Sequence, residues 1–215
     1  MGACDSSKNE NSDDGIKPHT KNINHQSIIM KKLNEAAKSL CKIIVSSNKS
    51  ASGFFILLFK EGQPFPCLIT NEHVVKKKMI EDKVKIIVLY DNETKDLEIK
   101  LNTEERFIKV FSEFNMDVTV IGILPKDNIS KEYFLSAFKD YIDNFDIFLD
   151  KKIMILEYPN GVMSVCSGEI IRISKNKKYE FIHNLGNDKG SSGSPIFLEG
   201  TTRVIGIHKG ANNDG

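Results

Sequence analysis

From Cys41 onward the chain alternates short apolar runs with turn residues, and this rhythm limits the fold more than any other feature. CKIIVSS, GFFILLFK, PCLITN, KVKIIVLYD and DVTVIGI are rich in β-branched or aromatic residues and read as strands. Within DLEIKL, Leu97, Ile99 and Leu101 alternate with polar residues, which turns one face inward. The interval KEYFLSAFKDYI, residues 131 to 142, reads as helical and breaks the pattern. Strands resume with KIMILEY, VMSVCSGEIIRIS, YEFIHN, PIFLE and RVIGIHKG. Two groups of about six short strands around a connector predict an all-β protein, with two antiparallel β-barrels of about six strands each packed side by side. No internal repeat is visible.

The segment ahead of the strands has another character. Residues 1–25 are rich in Asn, Asp, Ser and Lys, with too few apolar side chains to order themselves. From Gln26 to Leu40, Ile29, Leu33, Ala37 and Leu40 recur at helical spacing, predicting a short amphipathic helix packed on the domain. The remaining 26–215 is expected to form one domain, with barrel one at about 41–123, a connector at about 124–150 and barrel two at about 151–215. MGACDS fits the N-myristoylation pattern, with Gly2 freed by removal of Met1 and Ser6 at the required place. Cys4 is placed to take a palmitoyl chain, the second anchor that stable membrane attachment needs. An ordinary polar terminus would match the same loose pattern.

Charge and cysteine usage exclude several classes. Lys and Arg total 30 against 29 for Asp and Glu, so a net charge of +1 offers no long-range attraction to nucleic acid. The run Lys76, Lys77 and Lys78 lacks interleaved aromatics for base stacking and reads as a solvated face. The four cysteines, Cys4, Cys41, Cys67 and Cys166, form no CxxC pair and no His/Cys spacing suited to zinc. Neither a metal nor a cofactor is expected. Reduced thiols imply an intracellular, cytoplasmic protein, with lipidation placing it on the cytoplasmic face of a membrane. No apolar run reaches transmembrane length, and the N-terminus carries no apolar secretory segment. Oligomeric state leaves no trace in the sequence.

One polar run stands out against the strands. KGSSGSPIF, residues 189 to 197, has the composition of a linker, yet an apolar strand follows it directly. A serine hydroxyl is a poor nucleophile unless a base accepts its proton and a third group orients that base. His73 lies at the end of the strand in LITNEHVV, and Asp117 opens the strand DVTVIGI. Taken singly, the histidine would be an ordinary core or surface residue and the aspartate a turn cap. The nucleophile elbow G-x-S-x-G fails here, because Ser194 stands where its last glycine belongs and a strand follows in place of a helix.

TNEHVV, DVTVIGI and KGSSGSPIF, followed by VIGIHKG, resemble the catalytic blocks of the trypsin/chymotrypsin superfamily, in the order His, Asp, Ser. The likeness is greatest to its glutamyl endopeptidase branch, and it covers roughly residues 41–210. The resemblance implies a chymotrypsin-like fold with the active site between the barrels, and a serine endopeptidase (a hydrolase) acting on protein or peptide substrates. Ser192 would be the nucleophile, His73 the general base and then acid, and Asp117 the residue that fixes the imidazole tautomer. The backbone N–H groups of Gly190 and Ser192 would form the oxyanion hole, with Gly190 supplying the turn. Gly193 would leave room beside the hydroxyl.

Three departures from that family bear on function. Ser191 stands where secreted digestive members carry an activating Asp, and Val74 replaces the cysteine that braces the catalytic histidine. The sequence stops at ANNDG, soon after the strand holding His208, so the second barrel is expected to be incomplete at its C-terminus. A catalytically silent pseudoenzyme, serving as a membrane-tethered peptide-binding module, is the alternative. For specificity, the resemblance places His208 of IGIHKG in the primary pocket, with Asn187 as a further donor. An imidazole there would bind Glu or Gln on the acyl side of the scissile bond, adding charge complementarity when protonated. Gly186, at the trypsin pocket position, argues against cleavage after Lys or Arg. A solvent-facing His208 is the competing placement.

Overall fold

Thirteen strands, among the described residues, join one continuous hydrogen-bonded network. The computed structural model describes residues 20–112, 116–138, 145–174, 179–186 and 188–210, with side chains from residue 27 onward. The first unit holds β1 (Leu40–Ser46), β2 (Lys49–Lys60), β3 (Gln63–Thr70), β4 (Lys85–Tyr90), β5 (Lys95–Lys100), β6 (Ile108–Phe111) and β7 (Val118–Gly122). All its pairings are antiparallel, in the order β5-β4-β1-β2-β3-β7-β6. β8 (Leu135–Ala137) follows, and then the second unit: β9 (Lys152–Glu157), β10 (Ser164–Ile173), β11 (Phe181–His183), β12 (Pro195–Leu198) and β13 (Arg203–Ile207). These pair antiparallel in the order β11-β10-β9-β12-β13.

β8 corrects the helix expected over 131–142. Its three residues run parallel to both units, with Leu135 opposite Ile56 of β2 and Ala137 opposite Val204 of β13. Within that interval one short 3-10 turn, Lys131–Tyr133, precedes it, and residues 139–144 lie outside the described set. Local helix-forming composition loses here to hydrogen bonds that two neighbouring strands offer. The sheet is therefore mixed at this point, where an antiparallel one was expected. β6 also exists where the sequence showed no distinct run.

Alternation along β2 explains how two cores form. Phe55 points into the first unit's core with Ile43, Leu68, Ile86, Val88, Ile99 and Ile121. Phe54 and Ile56, on the opposite face, pack against Leu156, Tyr158, Phe197 and Val204 of the second unit. Both phenylalanines are fully buried, worth roughly 2–3 kcal/mol each by transfer alone. A third core of Ile153, Ile155, Ile170, Ile196 and Ile205 belongs to the second unit. The helix α1 (Thr20–Ala37) begins earlier than expected and ends before Leu40, which opens β1. Ala36 and Ala37 let it approach the shared core closely.

Arg106 and Asp127 brace the first unit beside β7. The guanidinium donates to both carboxylate oxygens, at 2.8 and 3.1 Å, and to the Gly122 carbonyl at 3.0 Å. Both side chains are nearly inaccessible, at 4% and 5% exposure.

Candidate active site

β3 and β7 run antiparallel with Thr70 opposite Thr119, so the end of one lies beside the start of the other. His73 follows β3 in a turn closed by Val74 and Val75, whose N–H groups both donate to the Asn71 carbonyl. Asp117 directly precedes β7. The two side chains meet, with His73 Nδ1 at 2.5 Å from Asp117 Oδ2, while the His73 backbone N–H donates to Oδ1 at 2.9 Å. Asn71 Nδ2 donates to the Asp117 carbonyl at 2.8 Å, and Thr119 Oγ1 donates to the Val75 carbonyl at 2.9 Å. Burial alone would raise the Asp117 pKa. The two His73 hydrogen bonds, with the charges of His73 and Lys209, outweigh it and hold the carboxyl below its ordinary value. An ionised carboxylate accepts hydrogen bonds only, so Nδ1 carries the proton and Nε2 is left as the basic nitrogen. Val74 is buried in the first core, an apolar contact where the resembled family places a disulfide.

The loop 189–194 presents three serines, and burial distinguishes them. Ser191 and Ser194 are fully inaccessible, and their hydroxyls meet no partner. Ser192 alone retains solvent access. Gly190 and Gly193 adopt φ of +98° and +90°, where glycine is favoured. A Cβ at Gly190 would strike the Tyr158 carbonyl, and one at Gly193 would strike the Ser52 carbonyl and crowd Thr70 Oγ1. These contacts seat the loop against the end of β3, three residues before His73. The run is a rigid loop and not a linker. Its carbonyls and amides are tied outward: Ser52 N–H to Ser192 O at 3.0 Å, Gly193 N–H to His208 O at 2.9 Å, and Asn160 N–H to Lys189 O at 2.6 Å. Among the described residues, no backbone carbonyl accepts from the N–H of Gly190 or of Ser192.

His208 lies just beyond β13 and is 1% exposed, which removes the solvent-facing placement. His183, at the end of β11, stands beside it with Nε2 at 3.2 Å from His208 Nδ1. The Leu185 backbone N–H donates to His183 Nδ1 at 3.3 Å, so that nitrogen is an acceptor. Neutral His183 then carries its proton on Nε2 and donates it to His208 Nδ1. The chain of donors leaves His208 with its own proton on Nε2. Burial, then the charges of His183 and His73, push His208 down to about 4. The protonated His208 considered from the sequence is thus confined to acid. Burial lowers His183 as well.

His183 was missed in the sequence, where YEFIHN signals only a strand. Ser52 was missed too, within the polar start of β2. Asn187, Gly2 and Cys4 lie outside the described residues. A side chain at Gly186 would enter open space. Cys41, Cys67 and Cys166 are free thiols, and burial pushes Cys67 up to about 12. Among the described residues, no group of three His, Cys, Asp or Glu side chains is placed to hold a metal.

No family model matches the chain, and no curated protein sequence does. Solved structures do. The chain is similar to the serine endoprotease from Yersinia pestis, at 16% identity and a TM-score of 0.60 over 84% of this chain and 57% of that one. It is similar to Deg5 at 15% identity and a TM-score of 0.58, over 88% and 86%. A catalytically inactive tobacco etch virus protease complexed with substrate matches at 16% identity and 0.51, over 83% and 75%. The chain spans little more than half the length of the Yersinia protein. At such identities the likeness speaks for the fold, which is chymotrypsin-like, and does not single out a glutamyl endopeptidase branch.

Proposed function

We propose that this chain is a serine endopeptidase that hydrolyses peptide bonds through an acyl-enzyme on Ser192. The observation that carries the reading is the His73–Asp117 pair together with the one loop serine that solvent reaches, on a loop seated against Thr70 three residues before His73. Ser192 Oγ attacks the substrate carbonyl carbon, and its proton passes to His73 Nε2. The carbonyl oxygen becomes an oxyanion, for which the N–H groups of Gly190 and Ser192 are the available donors. Collapse breaks the C–N bond, and His73 returns its proton to the leaving amine. Water then adds to the ester with His73 again as base, and the acid product leaves Ser192 free. Asp117 stays ionised throughout and stabilises the imidazolium.

His208 supports cleavage after Gln or Glu, because a neutral Nε2–H donates equally to an amide oxygen or a carboxylate. Without a positive charge in the neutral range, Gln needs no counter-ion and is the better substrate. Asn187 remains a second donor in this proposal. A fluorophosphonate probe tests the reading, together with a peptide library. Labelling of the wild-type chain and not of Ser192→Ala, with cleavage after Gln, is expected. An unlabelled wild-type chain would establish the silent binding module instead.

The motif MGACDS supports a proposed anchor, with myristate on Gly2 and palmitate on Cys4 holding the enzyme at the cytoplasmic face of a membrane. Gly2→Ala is expected to shift the protein to the soluble fraction of myristoylating cells. Unchanged fractionation would remove the anchor.

A further inference from the structure

Ser52 lies on β2 of the first unit, is fully buried and makes three of its four hydrogen bonds to the second unit. Its hydroxyl donates to the Gly190 carbonyl at 2.7 Å and accepts the Tyr158 N–H at 2.9 Å. Its backbone N–H donates to the Ser192 carbonyl at 3.0 Å. Its carbonyl accepts from Thr70 Oγ1 at 2.8 Å, the only one of these bonds that stays within the first unit. In the ladder Ser52 stands opposite Lys42 of β1, and β3 pairing starts only at Phe54, so the strand leaves these groups available.

The consequence follows from peptide planarity. In a trans peptide, the N–H points away from the preceding carbonyl. The Gly190 N–H therefore points opposite to Lys189 O, which Asn160 N–H holds at 2.6 Å. Asn160 itself sits in a turn after Tyr158, with φ of 52°. One hydroxyl thus pins both sides of the contact: the Tyr158 amide at the root of that turn, and the Gly190 carbonyl on the loop. Neither half alone defines where the Gly190 N–H points.

We propose that Ser52 is a positioning residue for the oxyanion hole, acting from the unit that does not contain the nucleophile. The role rests on the peptidase reading above, since the oxyanion exists only in that chemistry. Ser52 touches no reacting atom. Its bonds to the two loop carbonyls fix the Gly190–Ser191 and Ser192–Gly193 peptide units on either side of the Ser192 N–H. Its bond to Tyr158 steadies the turn whose Asn160 N–H fixes the Lys189–Gly190 unit, so both N–H groups are set before substrate arrives. A device of this kind affects the transition state and leaves ground-state binding alone.

The test compares Ser52→Ala and Ser52→Cys with the wild-type enzyme. The cysteine keeps the volume and a weak donor, and it is read in the same way should the alanine variant fail to fold. For Ser52→Ala, kcat is expected to fall by about 10- to 100-fold with KM within about twofold, and Ser52→Cys to fall between. A peptide aldehyde, whose hemiacetal carries the oxyanion, should bind about tenfold or more weakly. The affinity of the uncleaved peptide, measured in a Ser192→Ala background, should not change. The pH dependence of kcat/KM should keep its shape, because the His73–Asp117 pair is untouched. An unchanged kcat, or a loss shared equally by the aldehyde and the uncleaved peptide, would overturn the role and leave the peptidase intact. A wild-type chain inert to both substrate and fluorophosphonate would overturn the peptidase reading, and this role with it.

Discussion

His73 and Asp117 are held by side chains of their own unit, whereas the loop of Ser192 is held from both units. Asn71 and Thr119 lock the first pair through bonds between β3 and β7, adjacent strands of one sheet. The Ser192 loop draws its anchors from Ser52 across the boundary and from the turn after Tyr158. The first unit also carries the buried Arg106–Asp127 bridge, while the second carries a pair of imidazoles, His208 buried and His183 half-buried. The difference separates two tasks. Proton transfer needs a fixed pair, which one sheet edge can supply. The proposed oxyanion hole needs several peptides aimed together, and bonds from both units converge on the loop that would supply them.

The largest effect expected is one that ignores this division. Ser192→Ala and His73→Ala, one from each unit, should each lower kcat by about 10⁴-fold or more, and the double variant should be little worse. Rate measurements on all three, alongside the melting temperature, decide it. Additive losses would mean that the two contributions are independent and that no shared step exists.

Stability should divide the units more clearly. Asp127→Ala leaves a guanidinium buried without its carboxylate, at a cost of about 3–5 kcal/mol by denaturant unfolding. A loss below about 1 kcal/mol would show that the first unit does not depend on this brace.

The smallest effect belongs to the second unit and depends on pH. His208 falls to about 4 in the folded chain against an ordinary 6.5. Between those values the unfolded chain binds a proton that the folded chain refuses, so stability drops as pH falls from about 6.5 towards 4. The loss is on the order of 2–3 kcal/mol. Thermal unfolding at pH 7 and pH 4.5 should show it, and His208→Phe should flatten the slope. A wild-type slope equal to that of the variant would place the acid sensitivity elsewhere.

Much of this was legible in the sequence, for physical reasons. Runs such as KIIVLY and KIMILE announce strands because β-branched side chains suit a pleated surface. The strand-end positions of His73 and Asp117 were legible from the apolar runs they border, and the rigid loop around Ser192 from glycines that a side chain could not replace. KEYFLSAFKDYI misled because Leu135 and Ala137 answer to Ile56 and Val204, partners no local window contains. Ser52 was invisible for the same reason, since its contact with Gly190 spans 138 residues. His183 was one strand residue among many until His208 stood next to it.

β8 carries a consequence for how the molecule assembles. Its parallel partners, β2 and β13, are far apart in the chain, and a parallel pairing closes a long loop before it gains any contact. A chain emerging from the ribosome can form the β1–β2–β3 meander early. The register between β2 and β13 through β8 has to wait until residues 203–207 have been made. During that interval the β2 face bearing Phe54 and Ile56 lacks the part of its cover that Val204 supplies, leaving apolar surface open to self-association. Refolding should accordingly show a slow, concentration-sensitive phase that reports on the docking of β13.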